Sequence, residues 1–141
     1  MSSYVDTSII ISALTPEINS AASQNWLEAQ GPGSLNISPW VVTEIHSALA
    51  MKVRTGQLTV EDKSKVLAYF RAEMLPELHI IDLVAADFAQ AANFLDYQSI
   101  SLRSGDALHL AIASRNGLVN ATHDIRLQDA ARALQIAYVS P

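Results

Sequence analysis

Cysteine is absent from the 141 residues. That excludes a disulfide framework, a thiolate zinc site and a cysteine nucleophile together. It accords with a reducing compartment, and a cytoplasmic location is expected. Long apolar runs are missing too. The longest is five residues, at 66–70, and others such as 48–51 and 110–113 are four, against the roughly 20 that a membrane span needs. The opening MSSYVD is neither basic nor extensively apolar, so neither a secretory leader nor a membrane partner is expected. Charged residues are only 16% of the chain while 50% are hydrophobic, a balance that excludes a disordered chain. The length suffices for one core and is too short for two ordinary domains. Basic residues are also scarce: 9 Lys and Arg stand against 14 Asp and Glu, a net charge of −5. Taken alone, that argues against a polyanion-binding surface, because phosphate binding is driven by Lys and Arg.

What is present is alternation. Residues 3–5 form a short extended start that ends at Asp6, and 9–14 is nearly all apolar. Asn19 or Ser20 is placed to cap a helix over 21–29. A turn cluster at 30–33 precedes a brief strand at 35–37. Residues 40–53 carry apolar side chains at 41, 42, 45, 48, 49 and 51 and read as a helix that Gly56 ends. Thr59 opens a second helix over 60–75, with Asp62 three residues on to complete a capping box. A strand at 78–83 and a helix at 85–95 follow. A very apolar helix runs from 104 to 115, stopped by Asn116-Gly117. A strand at 118–121, a helix at 125–134 and a strand at 136–139 complete the chain. Short strands alternating with helices predict an α/β domain with a mostly parallel sheet and helices on both faces. Ligands of such sheets bind at the carboxyl ends of the strands.

That rule makes the acids worth locating. Asp6 follows the first strand, and Asp124 follows the strand at 118–121. Asp106 stands in the first turn of the apolar helix. Each has a structural reading as a helix cap or a dipole partner. Glu44 is harder to explain that way. Its helical neighbours are Trp40, Val41, Ala48 and Met51, and an unpaired buried carboxylate costs several kcal/mol in order of magnitude. It needs a cation, and no Lys or Arg lies within a turn on its own helix. Four acids converging on one sheet edge would repel one another, and a divalent metal removes that problem. Oxygen-only ligands select a hard cation, Mg²⁺ or Mn²⁺.

The order YVDTSIII, SPWVVTEIHSALA, LRSGDALHLAIA and LVNATHDIRL resembles the PIN-domain ribonucleases of the VapC toxin type. The stretch around Asp106 is the most specific piece, and Thr122-x-Asp124 adds to it. The resemblance extends from Tyr4 to Val139 and implies a single PIN domain over residues 1–141. Its fold would be a three-layer α/β/α sandwich around a five-stranded sheet. It further implies a metal-dependent endoribonuclease, usually a homodimer, inhibited by a small antitoxin protein and leaving 5′-phosphate and 3′-hydroxyl ends. Asp6, Glu44, Asp106 and Asp124 fall on the family's acidic quartet, as catalytic residues and Mg²⁺ ligands. Ser8 and Thr122 fall on the supporting hydroxyl positions. The alternatives are a PIN nuclease of RNA processing and a PIN binding module with a spent site. A haloacid-dehalogenase-like phosphatase would want a second Asp where Ser8 stands, and no glycine-rich phosphate loop is present.

His109 shares a helix face with Asp106 but reads as a core histidine, since its helix is apolar all round. Trp40 and Met51 read as core or dimer-interface residues. The basic residues are unevenly distributed. Lys52, Arg54, Lys63, Lys65 and Arg71 face only Glu61 and Asp62 between positions 52 and 71, a local +3, whereas 73–102 holds five acids and no Lys or Arg. The commoner meaning is two solvated faces of opposite sign. The functional one places RNA phosphates along Lys52 and Arg54, with Arg103 near the mouth of the site.

Overall fold

The computed structural model describes residues 2–141. Five strands, β1 (Ser3–Val5), β2 (Leu35–Ile37), β3 (His79–Ile80), β4 (Val119–Ala121) and β5 (Tyr138–Val139), form one sheet in the order β3-β2-β1-β4-β5. Every pairing is parallel, with Ser3 opposite both Leu35 and Val119. The helices are α1 (Thr7–Leu14), α2 (Ser20–Glu28), α3 (Pro39–Arg54), α4 (Val60–Tyr69), α5 (Ala85–Leu95), α6 (Ser104–Arg115) and α7 (Ile125–Ala133). The chain steps outward from β1 to β3, then returns past β1 to β4 and β5. Right-handed crossovers therefore put the β1–β2 and β2–β3 connections on one face and the remaining two on the other. The α/β fold is the one expected, and its sheet is wholly rather than mostly parallel.

The core explains why so few residues suffice for each strand. Tyr4, Val5, Ile37 and Ala121 are 0% exposed, so both faces of the central strands are covered. Residues 9–13 of α1 and 107–113 of α6 are buried in unbroken runs. A helix buried on all sides loses its polar stripe, which is why periodicity left 9–14 without a type. Pro39 occupies the first turn of α3, where its missing N–H costs nothing. Thr59 and Asp62 form the expected capping box of α4. Asn116 and Gly117 stop α6, with Gly117 at φ +63° and Leu118 N–H returning to the Ala113 carbonyl.

Three elements differ from expectation by two residues or more. The helix predicted to reach residue 75 is α-helical only to Tyr69. It then widens into a π-helical turn (Phe70–Met74) and tightens into a 3₁₀ turn (Leu75–Glu77) ahead of β3. α4 itself buries no residue, while Phe70 is 1% exposed, so the register change delivers that ring to the core. Pro76 then bars a regular helix. The outer strands β3 and β5 shrink to two residues each, as edges with only one neighbour do.

Candidate active site

The strand order reverses between β1 and β4, and the crevice at their carboxyl ends is where an open parallel sheet receives a ligand. A cavity of about 410 Å³ opens there. Asp6, Glu44, Asp106 and Asp124 all line it, with Thr7, Ser8, Trp40 and Arg103. The four acids come from the end of β1, the middle of α3, the first turn of α6 and the start of α7.

Asp6 is 5% exposed. It precedes α1 yet makes no side-chain cap, so the capping role it offered is not the one it takes. Its Oδ2 instead accepts from Ser8 Oγ at 2.8 Å and Thr122 Oγ1 at 2.7 Å. Ser8 Oγ also accepts from His123 N–H, and Thr122 Oγ1 from Asp124 N–H. The two hydroxyls thus tie the end of β1 to the loop after β4. Asp6 Oδ1 keeps only a 3.6 Å approach to His109 Nε2. Asp124 does take the capping role: its Oδ1 accepts from Arg126 and Leu127 N–H, and its Oδ2 has no protein donor among the described residues.

Glu44 finds its counter-group on another helix. Its Oε1 accepts from Thr7 Oγ1 at 2.8 Å and from His109 Nε2, while Oε2 is without a protein donor among the described residues. Burial works to raise the Glu44 pKa. The hydrogen bond and charge of His109, with the Thr7 bond, outweigh it and hold the group below its ordinary value. Asp106 has no such help. Burial, followed by the charges of Asp6 and Asp124, pushes its pKa up to about 6. Burial works to lower the His109 pKa, but Glu44 and Asp6 raise it above the ordinary histidine value.

His109 is fully buried, as expected, but it is not a bystander. One ligand atom each from Asp6, Glu44 and His109 lie within 4.8 Å of one another, a group able to hold a metal ion. Its i, i+3 spacing from Asp106 was the available signal, together with the cation that Glu44 lacked. Thr7 was missed because Asp6 and Ser8 account for the Asp-Thr-Ser motif without it. Trp40 lies partly buried in the cavity wall against Gly105, where an added Cβ would stand 3.2 Å from the indole. Met51 is 55% exposed and is not a core residue.

The three basic candidates separate. Arg103 is exposed and lines both this cavity and its neighbour, which runs past Glu17, Met51 and Lys52. Lys52 lines only the neighbour, where its Nζ pairs with Glu17 at 2.9 Å. Arg54 is exposed at the end of α3 and lines neither. Among the described residues no Lys or Arg pairs with any of the four acids.

Comparison with known proteins points the same way. The chain is 29% identical over 147 residues to Ribonuclease VapC35 of Mycobacterium tuberculosis, covering 98% of this chain and 96% of the relative. Its fold is similar to that of VapC20 from Mycobacterium tuberculosis, described as a sarcin-ricin loop cleaving toxin, at a TM-score of 0.72 and 18% identity over 92% of this chain and 95% of that one. It is also similar to VapBC2 from Rickettsia felis, solved with a DNA fragment from its promoter, at a TM-score of 0.70 and 18% identity over 99% and 98%. The model of the PIN domain matches residues 3–133. A family match over that span, on a parallel sheet whose switch point gathers four carboxylates, means that this chain belongs to the PIN-domain family.

Proposed function

We propose that this chain is an endoribonuclease of the VapC type, the toxin of a toxin–antitoxin pair, and that residues 1–141 form a single PIN domain. RNA is its substrate and a small antitoxin protein its inhibitor. It acts as a homodimer in the cytoplasm. No helix among the described residues is long and apolar enough to cross a membrane. The observation that carries this reading is the donor pattern around the cavity. Asp6, Glu44 and Asp124 each commit one oxygen to protein hydroxyl, imidazole or amide donors and, among the described residues, leave the other without one. Asp106 has no hydrogen-bond donor at all among the described residues. Such oxygens fit Mg²⁺, with Mn²⁺ as the alternative, because both are hard cations satisfied by carboxylates and water.

Asp6 and Asp106 would hold the cation, with Asp124 and Glu44 completing its surroundings. When bound, Mg²⁺ supplies a Lewis acid beside the phosphodiester and acidifies water. The remaining work belongs to the side chains. Ser8 and Thr122 keep Asp6 Oδ1 turned toward the cavity by occupying Oδ2. Glu44, charged at neutral pH, accepts a proton from the attacking water at Oε2. Arg103 holds substrate phosphate at the mouth. The overall charge of −5 is no obstacle: setting the four site acids aside leaves 10 acids against 9 basic residues, or −1.

The test is cleavage of RNA by purified protein with Mg²⁺, followed by sequencing of the fragment ends. Cleavage that EDTA abolishes and that leaves 5′-phosphates is expected. A pure Asp6→Asn or Asp106→Asn protein that cleaves as fast as the parent removes the assignment.

A further inference from the structure

A buried chain of hydrogen bonds crosses the core and ends on Glu44. Ser38, which precedes α3, and Tyr4, in the middle of β1, are both 0% exposed, as is His109 in α6. Tyr4 Oη lies 2.8 Å from Ser38 Oγ and 2.7 Å from His109 Nδ1. The phenol and imidazole rings pack at a tilt, with centroids 5.5 Å apart. The far nitrogen of the imidazole, Nε2, reaches Glu44 Oε1. Neither Tyr4 nor His109 lines the cavity, so neither touches substrate.

From this geometry we propose that Tyr4 is a positioning residue, acting through His109 to aim the Glu44 carboxylate. The inference rests on the nuclease reading of the cavity. An imidazole can flip about its Cβ–Cγ bond, which exchanges a ring carbon for the nitrogen facing a partner, and it can carry its proton on either nitrogen. Tyr4 ends the first freedom, and the carboxylates facing Nε2 end the second. The Tyr4 hydroxyl meets Nδ1, so a flip would turn ring carbons toward both Tyr4 Oη and Glu44 Oε1 and break both bonds. Facing carboxylates, Nε2 carries hydrogen in the neutral and the charged ring alike and donates to Glu44. That donor and Thr7 both hold Oε1. A carboxylate pinned at one oxygen by two donors on different helices presents the other in a fixed direction. Oε2 is thereby held toward the cavity, where the proposed proton acceptance occurs. Supporting groups of this kind typically contribute roughly 10- to 100-fold in activity or metal affinity.

Tyr4→Phe keeps the ring and removes only the hydroxyl. Expected is a protein with Tm in EDTA within a few degrees of the parent, an unchanged KM for RNA and a kcat lowered about tenfold or more. The double variant Tyr4→Phe/Glu44→Gln is expected to be no slower than Glu44→Gln alone, because the hydroxyl acts only through that carboxylate. Wild-type kcat in folded Tyr4→Phe overturns the proposal, and so does a double variant slower by the full product of the two effects. If Tyr4→Phe fails to fold, His109→Gln and His109→Leu take its place. The amide retains a donor for Glu44 and is expected to be several-fold faster than the leucine variant. Equal rates overturn the proposal. Two further readouts do not depend on cleavage. Nitrogen-15 NMR of the apoprotein is expected to show His109 with its proton on Nε2, and Mn²⁺ titration to show weaker binding to Tyr4→Phe. If the parent does not cleave RNA, the nuclease reading fails by itself. These two measurements then decide the Tyr4–His109–Glu44 arrangement: a ring protonated only at Nδ1, or unaltered Mn²⁺ affinity, rejects it.

Discussion

Asp87 and Asp6 are both buried carboxylates, 1% and 5% exposed, and the chain compensates them in different ways. Asp87, in the first turn of α5, accepts from Nε and Nη2 of Arg115 in α6, at 2.6 and 3.0 Å, and from the Val84 N–H at 2.9 Å. Its charge is answered within the protein, and its pKa falls below the ordinary value because the Arg115 and Val84 bonds outweigh burial. Asp6 has two hydroxyl donors, a distant imidazole and three further acids around the same cavity. The contrast separates a carboxylate that staples two helices from one whose charge is left for something else to complete. Burial alone does not make a site. Burial without a matching cation does, because the protein bears a desolvation cost that folding gives it no means to recover.

The largest effects should fall on opposite sides of this contrast. Removing one charge at the cavity, by Asp6→Asn or Asp106→Asn, is expected to lower RNA cleavage by at least about a hundredfold, since even groups supporting a metal ligand are worth roughly 10- to 100-fold. Asp87→Ala, by contrast, should cost about 3 kcal/mol in a denaturant titration by removing its charge-assisted bonds from Arg115 and the Val84 N–H. Cleavage per folded molecule should be unchanged. A loss of rate at constant fold in Asp87→Ala would erase the distinction.

A smaller effect concerns the missing cation. Mg²⁺ at 100 times its Kd should stabilise the parent by about 2.7 kcal/mol in thermal unfolding. Asp6→Asn should show much less of this, and Asp87→Asn, if folded, the same gain as the parent.

The pH dependence is smaller again. Burial and the neighbouring acids raise Asp106 to about 6 in the folded protein, above its unfolded value, so the fold favours the protonated form. Its contribution is fully present below about pH 4 and is lost as pH rises through about 6. In EDTA, Asp106→Asn should therefore gain on the order of 1 kcal/mol at pH 7 relative to the parent, after discounting for partial exposure, and nothing at pH 3.5. Equal differences at the two pH values would show that the acids do not interact across the cavity.

The least effect is expected at Gln135. This residue ends α7 at φ +58°, where glycine is the usual choice. Gln135→Gly should add up to about 1 kcal/mol and leave cleavage unchanged.

Much of this was legible because local rules govern it. The capping box at Thr59 and Asp62, the stop at Asn116-Gly117 and the strand-helix alternation depend on residues a few positions apart. So did the placing of Asp6, Asp106 and Asp124 near the ends of elements and of Glu44 within its helix, and the demand of Glu44 for a cation that its own helix could not supply. The π-helical turn at Phe70 was not legible, because the pull that widens the helix comes from a core its own residues do not describe. That Met51 lies outside the core was not legible either, because the apolar stripe of α3 turns outward at its end, beside the neighbouring cavity.

The sequence by itself determined the alternation of elements, the supply of acids and the shortage of cations to answer them. Tertiary structure decided which acid each cation would serve. It gave Arg115 to Asp87, Lys52 to Glu17, and to Glu44 only an imidazole held in place by Tyr4, 105 residues from His109. Pairing of that kind depends on distances across the fold, and the Coulomb and hydrogen-bond terms that set each group's role fall off within a few ångströms.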